Sequence, residues 1–169
     1  MKKDKINCSC VLHTIPPVFD SKSRVLILGS MPSPVSRSKG FYYANPQNRF
    51  WRVMQEIFQT EIASDNASRT AFLLKNRIAV WDVIAQCEIY GASDASIKQV
   101  KANDIALITD TADIKAIFCT GGTAYKYYER LCREKTGISA VCLPSTSAAN
   151  AKYSLQALSE KYKIIKEYL

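Results

Sequence analysis

A long segment of aromatic, cationic and amide residues follows the first strongly apolar run of this 169-residue chain. It extends from Gly29 to Trp51, which is unusually long for a connection without a function in a compact domain. Its cations suit phosphate groups, its rings can stack on a nucleobase, and its amides can read a base edge or hold a water molecule. These side chains are Arg37, Lys39, Phe41, Tyr42, Tyr43, Asn45, Gln47, Asn48 and Arg49. The composition favours base binding; the alternative is a rigid loop whose tyrosines pack on the core.

Polar residues also follow two later apolar runs. Asp82 comes directly after the run 78–81, and Ser145, Thr146 and Ser147 come after the run 139–143. Because ligands bind at the carboxyl ends of strands in open parallel sheets, we expect both groups to lie near the loop 29–33. Asp82 can accept an N–H from a base, activate a water or pair with a lysine. The three hydroxyl residues also suit a simple strand-to-helix turn.

Four short apolar runs, rich in β-branched residues, predict buried strands at 25–28, 78–81, 114–118 and 139–143. Apolar residues at helical spacing predict amphipathic helices at 48–58, 123–133 and 154–169. Strands that alternate with helices imply a parallel sheet with right-handed crossovers. The chain has no internal repeat, low-complexity tract or linker, so we predict one α/β/α domain over residues 1–169. Residues 1–20 are expected to form a loosely ordered N-terminal extension.

The charge of the chain favours a polyanionic partner. The formal net charge is +8 and the isoelectric point is near 9.2, and neutralising phosphates with such a surface releases bound counterions. Lysines that serve only solubility are the alternative. Asp4, Lys5 and Asn7 interrupt the N-terminal segment, which argues against a secretory signal and predicts a cytoplasmic protein.

The cysteine spacing does not favour a metal centre. Of six cysteines, only Cys8 and Cys10 lie close together, and His13, the sole histidine, would bring that group to three ligands at most. Cys119 and Cys142 lie in apolar runs and are expected to be buried thiols. We therefore predict no metal.

Three segments carry a resemblance to a known family. GSMPS, YYANPQNRFW and LPSTSAAN resemble the uracil-DNA glycosylase superfamily, and most closely its deoxyinosine (hypoxanthine-DNA) glycosylase branch. WDVIAQCEIYGASDASI and NDI are similar to that branch too, so the likeness spans about residues 25–150. YYANPQNRFW is the specific segment, LPSTS is moderately specific, and GSMPS alone would be weak.

The resemblance implies a three-layer α/β/α sandwich with a central four-stranded parallel sheet. It also implies a monofunctional DNA glycosylase of base excision repair that needs no cofactor and acts on deaminated bases, hypoxanthine first and uracil second. Such an enzyme flips the target base into a pocket before it breaks the bond between base and sugar. The partner is then damaged DNA, and a monomer without an obligate protein partner is expected.

The same resemblance assigns the site residues. Many members of the superfamily carry an Asn or Asp where this chain has Met31, so the catalytic positioning of water passes to Asn48, which also suits a helix cap. Tyr43 takes the position of the aromatic that stacks on the base, and Asp82 reads the base edge. The remaining predicted contacts are Gly29, Ser30, Met31, Pro32, Ser33 and Phe50 for the substrate, and Ser145, Thr146 and Ser147 for DNA. Thr120 is left outside the predicted site.

Two other functions are weighed against this one. Met31 motivates a non-catalytic nucleic-acid binding module that has kept the base pocket and lost the chemistry. A nucleotide-binding α/β domain is disfavoured because the loop 29–33 has neither a Gly-x-Gly-x-x-Gly pattern nor a Gly-Lys-Ser/Thr ending.

Overall fold

The computed structural model describes residues 8–90 and 94–169, and it contains the predicted parallel sheet. Four parallel strands lie in the order β3-β2-β6-β7. Their bounds are β2 Val25–Gly29, β3 Ile78–Asp82, β6 Ala116–Thr120 and β7 Ala140–Leu143. Every residue of β2 and β3 is buried, as their continuous apolar sequences predict for strands covered on both faces. The predicted α/β fold is confirmed, and the third strand is shifted two residues towards its carboxyl end.

Seven α-helices in the described part of the chain surround the sheet. They are α1 Pro34–Lys39, α2 Phe50–Phe58, α3 Asn66–Lys75, α4 Ala106–Thr111, α5 Gly122–Leu131, α6 Arg133–Thr136 and α7 Leu155–Tyr162. The three predicted helices are present with shifted ends, and the last one continues as a 3-10 helix, Lys163–Tyr168. None of the helices in the described ranges has the length and apolarity needed to cross a bilayer.

A second, antiparallel sheet was not predicted. It consists of β1 Cys8–Leu12, β4 Ile84–Tyr90 and β5 Lys98–Ala102, in the order β1-β4-β5. Val83 alone separates β3 from β4, so the chain passes directly from one sheet to the other. The expectation of a loosely ordered N-terminal extension is therefore wrong from Cys8 onward, because β1 pairs along its whole length with β4. Residues 1–7 lie outside the described range.

Candidate active site

A cleft of about 760 Å³ opens at the carboxyl ends of β2, β3 and β6. This is the location that parallel sheets offer to ligands, and the volume lies in the usual range for a small-molecule site. Among the predicted residues it is lined by Gly29, Ser30, Met31, Pro32, Ser33, Tyr43, Asn48, Asp82, Ser145, Thr146 and Ser147. It is also lined by residues that were not predicted to form the site, including Arg37, Asp94, Thr120 and Asn150.

The loop 29–33 is fixed at both ends. The carbonyl oxygens of Gly29 and Ser30 accept hydrogen bonds from the N–H groups of Val83 and Ile84 at 2.9 and 3.0 Å. Ser33 Oγ caps α1 by accepting from the Ser36 N–H at 3.1 Å. The loop therefore presents a fixed wall to the cleft. Met31 lies in that wall, and its thioether is too weak an acceptor to orient water.

Tyr43 presents a flat ring to the cleft and is supported from behind. Its ring stacks on Phe50 with centroids 3.9 Å apart and planes 16° from parallel. Phe50 is fully buried and does not line the cleft, so the prediction that it contacts the substrate is corrected. Phe50 thus covers one face of the Tyr43 ring, and Tyr43 itself lines the cleft.

The Tyr43 hydroxyl is held by Thr120. The two side-chain oxygens are 3.0 Å apart, and the single Thr120 hydroxyl hydrogen goes to the Leu28 carbonyl at 3.3 Å. Tyr43 is therefore the donor in this pair. Burial, together with the nearby charge of Asp82, raises the pKa of Tyr43 well above its usual value, so the phenol keeps its proton. Thr120, which sequence reasoning left outside the site, thus fixes the stacking ring.

Asp82 lies on the floor of the cleft and is hydrogen-bonded to His13. The distance from His13 Nε2 to Asp82 Oδ2 is 2.8 Å, and the two side chains are only 2% and 5% exposed. The other oxygen, Oδ1, lies so close to Gly29 that a Cβ added there would approach it to 2.3 Å. The absence of a side chain at Gly29 is therefore what admits the carboxylate to the cleft.

A second carboxylate, Asp94, also lines the cleft. Its Oδ2 accepts a hydrogen bond from Ser30 Oγ at 2.9 Å. Desolvation raises the pKa of Asp94, and the negative charge of Asp82 adds to this effect. The floor of the cleft is thus acidic although the chain as a whole is basic, which suits the N–H groups of a base better than a phosphate.

Asn48 lines the cleft, and both hydrogen bonds described for its side chain are made by the amide oxygen and not by the amide nitrogen. Oδ1 accepts two hydrogen bonds, from the Phe50 N–H at 2.9 Å and from Thr146 Oγ1 at 2.8 Å. Two donors at one atom identify it as the oxygen. Asn48 therefore holds the N–H of the first residue of α2, although the N-cap position of this helix is Arg49 and not Asn48. Its Nδ2 is the group that it can offer to a water or to substrate.

The loop after β7 meets Asn48 through Thr146. Thr146 is 1% exposed and uses its hydroxyl hydrogen on Asn48, which does not fit the predicted contact with DNA. Its place in the structure is a link between the two loops of the site. Ser145 and Ser147 are half-buried and accept hydrogen bonds from backbone N–H groups at 3.2 and 3.3 Å. Their contact with DNA stays a prediction.

Arg49 fastens the same two loops together. Its guanidinium donates to the carbonyl oxygens of Ser147 and Asn150, both at 2.8 Å, and to that of Tyr153. Its backbone N–H also donates to the Thr146 carbonyl at 3.0 Å. The composition suggested that this cation serves phosphates, but the structure directs it to backbone carbonyls.

Replacing Arg49 with alanine is expected to lower the free energy of unfolding by about 3 kcal/mol, because several carbonyls lose a charged donor at once. Arg52 is an exposed residue of the neighbouring helix turn and provides the matched control. Urea unfolding of both variants measures the difference. Equal stability of Arg49→Ala and Arg52→Ala would show that the loop does not depend on the clamp.

The cysteine and histidine side chains at the N-terminus take separate partners. His13 is bonded to Asp82, and Cys10 Sγ accepts from Gln86 Nε2 at 3.3 Å. The side chain of Cys8 lies outside the described part of the structure. In the ranges that are described, no group of three or more His, Cys, Asp or Glu side chains could hold a metal ion.

Comparisons with known proteins agree with this architecture. A model of the uracil DNA glycosylase superfamily matches residues 16–169. A hypoxanthine DNA glycosylase of Methanosarcina barkeri is 34% identical over 138 residues, which is 81% of this chain and 87% of the relative. A hypoxanthine DNA glycosylase of Methanosarcina acetivorans is 34% identical over 146 residues, which is 86% of this chain and 92% of the relative.

The fold is also similar to a solved structure. This is the solution NMR structure of a protein from Methanosarcina acetivorans described as a candidate uracil DNA glycosylase. The TM-score is 0.79 with 30% sequence identity, and the match covers 95% of this chain and 99% of that one. The chain therefore belongs to the uracil DNA glycosylase superfamily, on the side of its hypoxanthine DNA glycosylases, and is a DNA glycosylase that hydrolyses N-glycosyl bonds.

Proposed function

We propose that this glycosylase removes deaminated bases from DNA, hypoxanthine first and uracil second, and leaves an abasic site. The observation that carries the proposal is the buried carboxylate of Asp82 on the cleft floor, directly beside the Tyr43 ring. An ionised carboxylate accepts the N1–H of hypoxanthine or the N3–H of uracil. Adenine and cytosine present a lone pair at these positions and are repelled. The names of the two curated relatives support hypoxanthine as the first substrate.

The cleft suits a base that has left the helix. The target atom cannot be reached inside a duplex, so the nucleotide must be flipped out at a cost of a few kcal/mol. Stacking of the base on Tyr43 would offset part of that cost, since base–aromatic stacking contributes about 1–3 kcal/mol per base. Phe50 and Thr120 hold the ring in place before the base arrives, so little ordering remains to be done on binding.

The hydrolytic step depends on position and electrostatics. As the bond breaks, positive charge develops on the sugar and negative charge on the leaving base, and a water attacks the anomeric carbon. Asn48 can hold this water through Nδ2, since Oδ1 already accepts two hydrogen bonds, but it cannot remove the proton of the water because an amide is not a base. The fixed loop 29–33 can stabilise the leaving base through its backbone N–H groups, as an oxyanion hole does.

The cleft favours a monofunctional enzyme. A glycosylase that also cuts the backbone requires an amine nucleophile to form a Schiff base with the sugar. None of the described residues that line the cleft is a lysine. The expected product is therefore an intact strand with an abasic site.

A panel of oligonucleotides tests the proposal. Each carries one hypoxanthine, uracil or xanthine, single-stranded or paired, and strands are separated with and without alkali after incubation. We expect breaks that require alkali, fastest for hypoxanthine. Absence of base release from every substrate would refute the proposed function. Breaks without alkali would refute the monofunctional mechanism, and faster release of uracil would reverse the proposed order.

A further inference from the structure

The unpredicted antiparallel sheet brings His13 to Asp82, a residue of the cleft lining. β4 begins two residues after Asp82, and β1 pairs with β4 in the opposite direction. The backbone N–H of His13 continues this pairing by donating to the Ala85 carbonyl at 2.8 Å. As a result, the residue that follows β1 returns to the end of β3, 69 positions away in the sequence.

The hydrogen bond between His13 and Asp82 leaves one carboxylate oxygen for a ligand. Oδ2 is 2.8 Å from His13 Nε2, whereas Oδ1 lies against Gly29 on the cleft floor. Both side chains are almost completely shielded from solvent. A carboxylate so shielded is costly unless a donor or a positive charge compensates it, and His13 supplies that compensation.

We propose that His13 is a positioning residue that keeps Asp82 ionised and oriented, and so restricts excision to bases with an N–H at the edge that Asp82 reads. This inference rests on the proposed function. A protonated Asp82 would donate a hydrogen bond to N1 of adenine or N3 of cytosine, the undamaged bases from which hypoxanthine and uracil arise. His13 therefore disfavours adenine and cytosine as well as favouring hypoxanthine and uracil.

Other titratable groups lie around His13 and Asp82, and their contributions to a pH dependence can be distinguished. Tyr42 and Tyr43 face it from the long loop, and burial followed by the charge of Asp82 raises the pKa of both, so they stay neutral. Burial likewise raises the pKa of the Cys87 thiol on β4. Arg37 is the only cationic side chain among the described residues of the cleft lining. Asp94 is the remaining carboxylate among the described residues of the cleft lining, and Asp94→Asn is therefore a necessary control.

The pairing can be measured without any enzymatic activity. His13 is the only histidine, so in a protein without a polyhistidine tag its imidazole NMR signals are unambiguous. An ionised Asp82 can only accept at Oδ2, so the imidazole nitrogen shifts of the wild type should show that Nε2 carries a hydrogen. A wild-type imidazole whose Nε2 lacks a hydrogen would overturn the proposal.

Activity against pH tests the consequence for catalysis. The ionised carboxylate is the active form, so excision is lost as pH falls. A buried carboxylate without its donor takes up a proton more readily, and His13→Leu should therefore shift this acid limb upward by about one to two pH units. His13→Gln keeps an N–H donor but cannot carry a positive charge, so its acid limb should lie between those of wild type and His13→Leu. Asp94→Asn should leave the difference between wild type and His13→Leu unchanged.

The outcomes distinguish this inference from the proposed function. If His13→Leu lowers hypoxanthine excision by the same factor at every pH, or leaves the acid limb of the wild type in place, the inference fails and the proposed function stands. If His13→Leu does not fold, His13→Gln and the imidazole NMR signals decide. If the wild-type enzyme releases no base, the proposed function fails. The specificity role of His13 then fails with it, whatever the imidazole NMR signals show.

Discussion

Replacement of Asn48 by alanine is expected to reduce the rate of hypoxanthine excision by about 100-fold or more, while DNA binding is retained. Alanine removes the Nδ2 donor of this cleft-lining residue and also the two hydrogen bonds that Oδ1 accepts. The effect should appear in the single-turnover rate rather than in affinity for DNA, because the water and not the base loses its support. Single-turnover kinetics and fluorescence anisotropy measure the two quantities.

Thr146→Val is the matched control for this variant. It removes one of the two hydrogen bonds to Asn48 Oδ1 and leaves the amide in place. If the amide itself positions the water, Thr146→Val should retain most of the rate although its stability falls by about 1 kcal/mol. Equal losses in both variants would assign Asn48 a purely structural role.

Asn48→Asp separates the donor from the acceptor. The carboxylate can still accept from Phe50 and Thr146, so the loops stay connected, but the Nδ2 donor is replaced by an acceptor. A donor role predicts a rate loss comparable with that of Asn48→Ala. Full activity of Asn48→Asp would mean that the Nδ2 donor is not needed, and the catalytic assignment would change accordingly.

The parallel sheet could be predicted because its strands are buried on both faces. Val25–Gly29 and Ile78–Asp82 have no exposed residue, so their sequences contain almost no polar side chain and differ clearly from the adjoining segments. The antiparallel strands lack this property. Ile84–Tyr90 mixes Gln86 and Glu88 with apolar residues, and Lys98–Ala102 is mostly polar, so neither has a sequence that distinguishes a strand from a loop.

The same distinction explains which site residues were predicted. Asp82 and the loop 29–33 follow recognisable strands, and the strand ends of a parallel sheet necessarily lie together. His13 reaches Asp82 only through the pairing of β1 with β4, which the sequence did not reveal. The one indication of a functional role in the sequence is that His13 is the sole histidine, and that indication pointed equally to a metal ligand.

Hydrogen-bond partners distant in sequence account for the other differences. Thr120 enters the site through the Tyr43 hydroxyl, 77 positions away, and Arg49 is directed to carbonyls about a hundred positions away. Residue type identifies a cation or a hydroxyl but not the group that it will meet. A phosphate contact for Arg49 was therefore chemically reasonable, and only the packing of the two loops excludes it.

Gly29→Ala is expected to have an effect on excision comparable with that of Asn48→Ala, through Asp82. The added Cβ would lie 2.3 Å from Asp82 Oδ1 and 3.3 Å from the Tyr43 hydroxyl oxygen. The first distance is far below van der Waals contact, so the carboxylate must move away from the base edge, from His13, or from both. A displacement of about 1 Å in a catalytic arrangement can cost about 100-fold in rate. Crowding in a packed interior should also lower stability by about 2 kcal/mol.

Gly122→Ala distinguishes this steric effect from a general cost of replacing a glycine beside the sheet. Gly122 begins α5, and a Cβ there would meet nothing within 4 Å. Alanine is a better helix former than glycine, so this variant should be as active and at least as stable as wild type. Thermal melting and hypoxanthine excision of the two variants give the comparison. If Gly29→Ala excised hypoxanthine at the wild-type rate, the carboxylate would not need its observed place, and Asp82 would lose its assignment as the residue that reads the base.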